Sequence, residues 1–292
     1  MTKQKDNIPV GISFMLLTMF FFVSLDSVAK YLMQFYPVMQ VIWGRFFFHM
    51  FFVLLALVMM RSNLKQKAIS RRPGLQIWRS ILMLLTNGLF FTAVRTVELT
   101  TASTIMFLTP IVVTILAIPI LGERVGIRRW TGVIIGFIGA IIIVRPGVID
   151  TDPAILILVA TTVTHAFYQL LTRQVRDYDD PITSLLYTGL IGTIVMSLLA
   201  PLYWIAPLME HWPLFILMGL VGSVGHFCLI QSLRAAPISV VSPFSYTTLI
   251  WATAYSYFLF NELPDYWVYV GGSLILGSGL YILHRERQLK IE

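Results

Sequence analysis

The chain has 292 residues, of which 57% are hydrophobic and only 12% are charged, and its mean hydropathy is +0.80. Soluble domains carry about twice that share of charge, so the composition excludes an ordinary soluble protein and indicates a membrane protein. The single cysteine excludes a disulfide framework and a multi-cysteine metal site. The net charge of +7 would suit a nucleic-acid partner, but basic cytoplasmic loops explain it without one.

Ten apolar stretches of about 20 residues, the length that crosses a bilayer as a helix, follow one another along the chain. The first half holds those at 11–33, 38–60, 77–97, 101–121 and 128–145. The second half holds those at 153–172, 181–204, 213–233, 238–260 and 266–284. The short links contain proline or glycine, so no separate soluble domain is expected. The sequence therefore predicts an all-α polytopic membrane protein with ten transmembrane helices.

The positive charges indicate how these helices are oriented. With a cytoplasmic N-terminus, 17 of the 21 lysine and arginine residues, Arg79 among them, fall on the cytoplasmic side, and three lie near the opposite side. Cytoplasmic loops carry an excess of lysine and arginine, so both termini are expected in the cytoplasm. The remaining arginine, Arg45, lies inside the second predicted helix.

A shift of 139 residues aligns the second half of the chain with the first without a gap, and places Arg95 on Arg234. The two halves, 1–146 and 147–292, each contain five predicted helices. Because five is an odd number, the two repeats are expected to have opposite orientations in the membrane. Inverted repeats are typical of secondary transporters, in which the substrate site lies between the repeats near the bilayer midplane.

Several segments carry a resemblance to a known family. They are 90–95 (FFTAVR), 101–110 (TASTIMFLTP), 121–124 (LGER) and 234–237 (RAAP). Over essentially the whole chain the sequence resembles the EamA-type family of the drug/metabolite transporter superfamily. Segment 24–32 (SLDSVAKYL) is similar to a branch that includes metabolite, riboflavin and S-adenosylmethionine carriers. The resemblance implies the repeat fold and transport of a small organic solute, and leaves the solute open.

Charged side chains inside the predicted helices are candidates for the substrate site, because ionisable groups at bilayer depth are costly. Asp26 lies in the outer part of the first helix, and Arg45 and His49 lie one turn apart on the second. Asp26 and Arg45 either form a structural ion pair or bind the opposite charges of a zwitterion. Alternatively, Arg45 alone binds a carboxylate.

The sixth predicted helix carries a second polar group, in which His165, Tyr168 and Gln169 share one face. The 139-residue shift places His165 on Asp26. The two halves are therefore expected to present polar groups on opposite walls of one cavity. Further candidate binding residues are Asn87, His226, Tyr246 and Trp251.

These features favour a secondary carrier of a small organic metabolite, charged or zwitterionic, that works by alternating access between the repeats. No metal or other cofactor is expected. Protons are a candidate coupling ion, since histidine changes charge near neutral pH and His49 and His165 lie in predicted helices. Glycine-rich helices indicate close packing within the chain or in a homodimer.

The alternatives are an intramembrane enzyme and a non-transporting membrane scaffold. The enzyme reading is disfavoured because the sequence contains no zinc-protease, P-loop or serine-elbow motif. The short links and the resemblance indicate a multi-pass protein of a bacterial cytoplasmic (inner) membrane.

Overall fold

The computed structural model describes residues 7–121, 127–144, 153–263 and 265–289, and no β-strand occurs in these ranges. The α-helices are α1 (Ile8–Leu32), α2 (Val38–Met59), α3 (Leu64–Ala68), α4 (Pro73–Val94), α5 (Leu99–Met106), α6 (Thr109–Leu121), α7 (Ile127–Val144), α8 (Pro153–Val175), α9 (Pro181–Leu199), α10 (Trp212–Ala235), α11 (Ile238–Val241), α12 (Thr248–Phe260) and α13 (Tyr266–Leu289). Short 3-10 segments lie at Ala200–Tyr203, Met209–His211 and Ser242–Thr247. The predicted all-α class is confirmed over the described ranges.

Six helical segments in the described part of the chain are long and apolar enough to cross a membrane. They are Ile8–Leu32, Val38–Met59, Pro73–Val94, Pro153–Val175, Pro181–Tyr203 and Met209–Ala235. Each coincides with a predicted span to within a few residues, because apolar length is the dominant signal of a spanning helix. The chain is therefore a multi-pass membrane protein.

Proline residues stand at the start of several of these helices. Pro9, Pro73 and Pro181 occupy the first or second position of α1, α4 and α9. The first turn of a helix has no internal partner for its N–H groups, so a proline costs nothing there. Asn7 adds a cap to α1, since its side-chain oxygen accepts from the N–H of Val10 at 3.4 Å.

Two of the predicted spans are not continuous helices. The span predicted at 101–121 is divided between α5 and α6, and the span predicted at 238–260 is divided between α11 and α12 by the 3-10 segment Ser242–Thr247. Pro110 has no N–H to donate to the carbonyl of Met106, and a proline ring clashes with that carbonyl in a continuous helix. The apolar pattern runs through both interruptions, so hydropathy alone does not reveal them.

The helix boundaries repeat with the 139-residue offset. The helices α4 and α10 begin 139 residues apart, and so do α6 and α12, and α7 and α13. Neighbours repeat as well, since α1 packs against α10 and α4 packs against α8. The equivalent helices α2 and α9 pack against each other, and so do α7 and α13. Contacts made by one half thus have counterparts in the other.

Glycine residues let α2 and α10 approach closely. Gly44 of α2 faces the ring of Phe215, and Gly219 of α10 faces Phe48. A β-carbon added at Gly219 would lie 2.2 Å from the β-carbon of Phe48 and 2.7 Å from its carbonyl carbon. Lipid provides no hydrophobic force between helices, so association depends on close packing of this kind.

The glycine-rich helix α7 also packs within the chain. A β-carbon at Gly136 would lie 2.4 Å from Cδ1 of Ile111 in α6 and 3.1 Å from Oγ of Ser278 in α13. At this position, the glycine of α7 is therefore covered by the chain itself.

We expect Gly219→Ala to lower the melting temperature of the detergent-solubilised protein, because the added methyl group collides with the backbone of α2. Overpacking of this kind costs about 1–3 kcal/mol. Gly88→Ala is the matched control, since a β-carbon at Gly88 meets no heavy atom within 4 Å and alanine is the better helix former by about 1 kcal/mol. Equal melting temperatures for the two variants would contradict the packing of α2 on α10.

Candidate functional site

A cavity with an empty volume of about 920 Å³, including its opening, lies among the helices and is lined from both halves of the chain. The predicted site residues in its wall are Asp26, Arg45, Asn87, His165 and Gln169. Much of the remaining wall is formed by methionine and phenylalanine, including Met15, Met19, Phe22, Met83, Phe90 and Met106. A few polar groups in an otherwise apolar concave wall are typical of a small-molecule site.

The cavity wall repeats with the 139-residue offset. Pairs of equivalent positions in the wall are Phe22 and Thr161, Asp26 and His165, Phe90 and Leu229, Met106 and Ser245, and Thr109 and Thr248. Both interrupted spans reach the wall, because Phe107 and Ser245 lie where the helices break. Irregular backbone is tolerated at membrane depth only where protein or a cavity surrounds it.

Arg45 is only 4% exposed, and its guanidinium is incompletely hydrogen-bonded. Its Nη2 donates to Nε2 of His226 at 2.8 Å, whereas the buried Nη1 has no partner in the described part of the chain. The guanidinium carbon lies 5.4 Å from the ring centre of Phe46 and 5.7 Å from that of Phe91, within range of a cation–π attraction. Nη1 can therefore donate a hydrogen bond to an acceptor that enters the cavity.

Two further polar atoms in the wall also lack partners. They are Nδ1 of His165 and Oγ1 of Thr109, both buried. An unsatisfied buried polar atom costs about 1–3 kcal/mol. Within the described residues, all buried side-chain nitrogen and oxygen atoms without a partner belong to residues that line the cavity. The buried side-chain polar atoms of the described residues that can still form a hydrogen bond therefore all lie around this one cavity.

Asp26 lines the same cavity but is not paired with Arg45. Among the residues that the structure describes, the salt bridges are Lys30–Glu262, Lys67–Asp180 and Arg176–Asp177. The Asp26–Arg45 ion pair that the sequence left open is therefore not formed in this structure. The two opposite charges face the cavity as separate groups.

His49 lies behind the wall, where it joins three helices. Its Nε2 donates to the carbonyl oxygen of Leu185 in α9 at 3.3 Å, and its Nδ1 accepts from Oγ of Ser223 in α10 at 3.0 Å. Both ring nitrogens are therefore occupied by neighbours. This geometry gives His49 a fastening role between α2, α9 and α10.

The sequence predicts Arg79 among the cytoplasmic charges, but in the structure this residue of α4 is completely buried. Its Nη1 donates to Oη of Tyr168 at 3.2 Å, and its Nη2 donates to Oγ1 of Thr188 at 2.7 Å and to the carbonyl oxygen of Ser184. The signal available in the sequence was its depth, since α4 begins at Pro73, six residues earlier. Tyr168, like His226, lies behind the cavity wall and contacts it through neighbours.

Of the remaining predicted residues that the structure describes, Asn87 lies in the cavity wall and Trp251 does not. Asn87 lines the cavity and donates from Nδ2 to the carbonyl oxygen of Met83 at 2.7 Å. Trp251 is 38% exposed and packs edge-on against Phe20, with ring centres 4.9 Å apart. The side chain of Tyr246 lies outside the described residues.

Polar contacts join α1 to α12 and to the segment that follows α12. Nζ of Lys30 lies 2.7 Å from Oε2 and 3.0 Å from Oε1 of Glu262. Burial, and then the neighbouring Glu262 carboxylate, raises the pKa of the Glu98 carboxyl above its ordinary value. One turn and a half further into the bundle, Oγ of Ser24 and Oη of Tyr255 are 2.8 Å apart. The cavity wall includes none of these described residues.

Comparison with known proteins supplies a family and a fold. The sequence profile of the EamA-like transporter family matches residues 9–145 and again residues 152–283. The chain is similar to an S-adenosylmethionine uptake transporter of Rickettsia bellii, with 26% identity over 279 residues that cover 96% of this chain and 95% of the relative. It is also similar to a riboflavin transporter of Vibrio cholerae, with 29% identity over 167 residues that cover 57% of this chain and 56% of the relative.

A solved crystal structure matches the fold with a TM-score of 0.73 and 14% sequence identity. The match covers 96% of this chain and 97% of the other. At that identity the likeness concerns the fold alone.

We expect Lys30→Glu or Glu262→Lys alone to lower the melting temperature, because each change places like charges together. The joint exchange restores an ion pair and should recover most of the loss, about 1–3 kcal/mol for side chains that are 10% and 31% exposed. The same exchange at the more exposed pair Lys67–Asp180 is the control and should change stability little. A joint exchange as unstable as the single variants would contradict this contact.

Proposed function

The chain belongs to the EamA-like transporter family, and from that premise we propose that it is a secondary carrier that moves a small metabolite by alternating access. The family and the relatives are transporters, so the chain is a multi-pass cell-membrane transporter and not an enzyme. The relatives named for S-adenosylmethionine and riboflavin support a small metabolite as the solute. The observation that carries the proposal is the shared cavity in which the unpartnered buried polar atoms collect.

We infer a ten-helix architecture in which residues 1–146 and 147–292 form inverted repeats with both termini in the cytoplasm. The repeated helix boundaries and the matching neighbour pairs support the duplication. The cavity is lined by equivalent positions of both halves, as expected where a substrate site lies between two repeats. The distribution of lysine and arginine supports the orientation.

In this orientation the polar contacts around Lys30 lie on the outer side of the membrane. The cavity wall includes Met15, about two turns from the start of α1, and stops short of Lys30 near its end. A solute would then reach the cavity from the cytoplasmic side while the outer side is closed. Alternating access requires the Lys30–Glu262 and Ser24–Tyr255 contacts to separate in the opposite state.

The wall favours a solute that carries both charges on an apolar or aromatic body. A carboxylate would bind Nη1 of Arg45, and a cationic group would lie towards Asp26. The methionine and phenylalanine side chains suit an aromatic ring, since thioethers contact ring edges favourably. S-adenosylmethionine combines an amino-acid zwitterion with an aromatic base, whereas riboflavin lacks the charges. The separated charges of Arg45 and Asp26 therefore favour the zwitterionic class.

We expect a cysteine introduced into the link Lys65–Arg72 to react with an impermeant thiol reagent only from the cytoplasmic side. The native Cys228 is buried and should contribute little background. A cysteine at Pro207, in the link between α9 and α10, is the control and should react only from outside. Labelling of the Lys65–Arg72 link from outside would contradict the orientation and the helix count together.

We expect Arg45→Gln to lower S-adenosylmethionine uptake into proteoliposomes about tenfold or more, because a hydrogen bond to a charged group is lost from the bound state. The melting temperature should fall by no more than the loss of one hydrogen bond, since the described contacts of Arg45 include a single hydrogen bond, to His226, and no ion pair. Arg95→Gln, at an exposed arginine after α4, is the control. Parallel assays with riboflavin separate the two solute classes.

The double variant Asp26→Asn with Arg45→Gln distinguishes a binding pair from a structural one. A binding pair leaves the double variant folded and inactive, whereas recovery of both stability and flux would contradict the proposed site. If the wild type carries neither solute, a thermal-shift screen of a metabolite library identifies what stabilises it. If no metabolite stabilises the protein and it gives no saturable flux, it is a scaffold. That result would overturn the proposed carrier function.

A further inference from the structure

We propose that His226 and Tyr168 are positioning residues that hold Arg45 so that Nη1 stays free beside the cavity, with Arg79 anchoring them from behind. The inference rests on the proposed function of Arg45 as the group that binds the solute. Its basis is an unbroken series of hydrogen bonds that leads from the cavity wall through α10 and α8 to α4.

The contact between Arg45 and His226 determines which nitrogen of the histidine carries the proton. A guanidinium has five N–H donors and no acceptor, so Nε2 of His226 must accept the hydrogen bond from Nη2 at 2.8 Å. The ring proton then resides on Nδ1. His226 is held as the neutral Nδ1–H tautomer, since a proton on Nε2 would point at the donor of Arg45.

The second ring nitrogen of His226 connects the pair to Tyr168. Nδ1 lies 3.3 Å from Oη of Tyr168, and in this tautomer it is the donor. Nη1 of Arg79 donates to the same oxygen at 3.2 Å. The phenol oxygen thus accepts from both sides, and Tyr168 is fully buried.

Arg79 is tied to α8 a second time and to one further helix, α9. It donates to Oγ1 of Thr188 in α9 at 2.7 Å and to Oγ1 of Thr172 in α8 at 3.4 Å. A group that binds a solute is held accurately when its own contacts are fixed by a second layer of hydrogen bonds. The position of Arg45 therefore depends on residues that never touch the solute.

Arg45 could instead turn towards Asp26, and this explains why the hydrogen bond to His226 matters for solute binding. Asp26 lines the same cavity and offers a carboxylate to a guanidinium that is free to turn. With His226 in place, Nη2 is already occupied and the two charges stay apart. Loss of His226 would let Arg45 form an ion pair with Asp26. Neither charged group would then be available to bind a solute.

The tautomer of His226 can be measured directly by nitrogen NMR on the full-length protein labelled at the histidine ring nitrogens, without any ligand. The chain has five histidines, and the signals lost in His226→Gln assign the pair. We expect a protonated Nδ1 and an unprotonated Nε2. In Arg45→Leu the donor to Nε2 is gone, so Tyr168 can donate to Nδ1 and the Nε2–H tautomer should increase. A wild-type His226 protonated on Nε2 overturns the proposal.

Uptake of S-adenosylmethionine tests the consequence for binding. We expect His226→Leu and Tyr168→Phe to raise KM about tenfold while kcat changes little, since one hydrogen bond to a charged group positions the binding arginine. His226→Gln should retain most affinity, because its amide oxygen can accept from Arg45. His211→Leu is the matched control, because His211 is also buried and its Nδ1 lies 2.7 Å from a tyrosine hydroxyl but it is absent from this series.

Combination with Arg45→Gln separates positioning from general stability. In that background His226→Leu should have no further effect on KM, whereas effects that multiply would overturn the proposal. If His226→Leu does not fold, Tyr168→Phe and the wild-type NMR spectrum still decide. If the wild type does not carry S-adenosylmethionine, the proposed solute fails, and the tautomer of His226 still tests the positioning.

Discussion

The structure depends on how it hydrogen-bonds two arginine side chains that are buried among membrane-spanning helices. Neither Arg45 nor Arg79 bonds a carboxylate in the part of the chain that the structure describes. A buried guanidinium that has no carboxylate or water beside it needs neutral oxygen or nitrogen acceptors. A buried charged group without hydrogen bonds costs far more free energy than a neutral group without them. Hydroxyl, carbonyl and imidazole groups from four helices converge to meet this requirement. The resulting hydrogen bonds connect α2, α10, α8, α4 and α9.

The two arginines also break the symmetry that the duplicated backbone creates. The helix boundaries and the cavity wall repeat with one offset, yet Arg45 falls opposite Ser184 and Arg79 opposite Met218. A symmetric cavity would present the same groups from both walls. The charges are instead concentrated in the first half, while the second half supplies His226 and His165. The repeated helices thus form the frame of the cavity, and substitutions at equivalent positions place Arg45 and Asp26 in its wall.

Close packing and interrupted helices divide the molecule into rigid and irregular parts. Glycines against phenylalanines bring α2 within backbone contact of α10, which suits elements that move as a unit. Both interrupted spans break at the cavity. There, backbone carbonyl groups that lack a partner within the helix can accept hydrogen bonds from the protein or from a solute. Secondary transporters commonly combine these features, with discontinuous helices at the substrate site and packed bundles that rotate around it.

Sequence by itself determined the all-α class, the positions of the six spanning helices found in the described part of the chain, the repeat offset of the helix boundaries and five residues of the cavity wall, Asp26, Arg45, Asn87, His165 and Gln169. Those features follow from hydropathy, periodicity and the cost of polar groups in lipid, all of which are local. Tertiary structure alone decided that Asp26 and Arg45 stay unpaired, that His49, Tyr168 and His226 stand behind the wall, and that Arg79 is buried. Which acceptor a side chain finds depends on helices up to 181 residues apart in the chain, as for Arg45 and His226. No local sequence pattern encodes these hydrogen-bond partners, because the side chains meet only when the helices pack together.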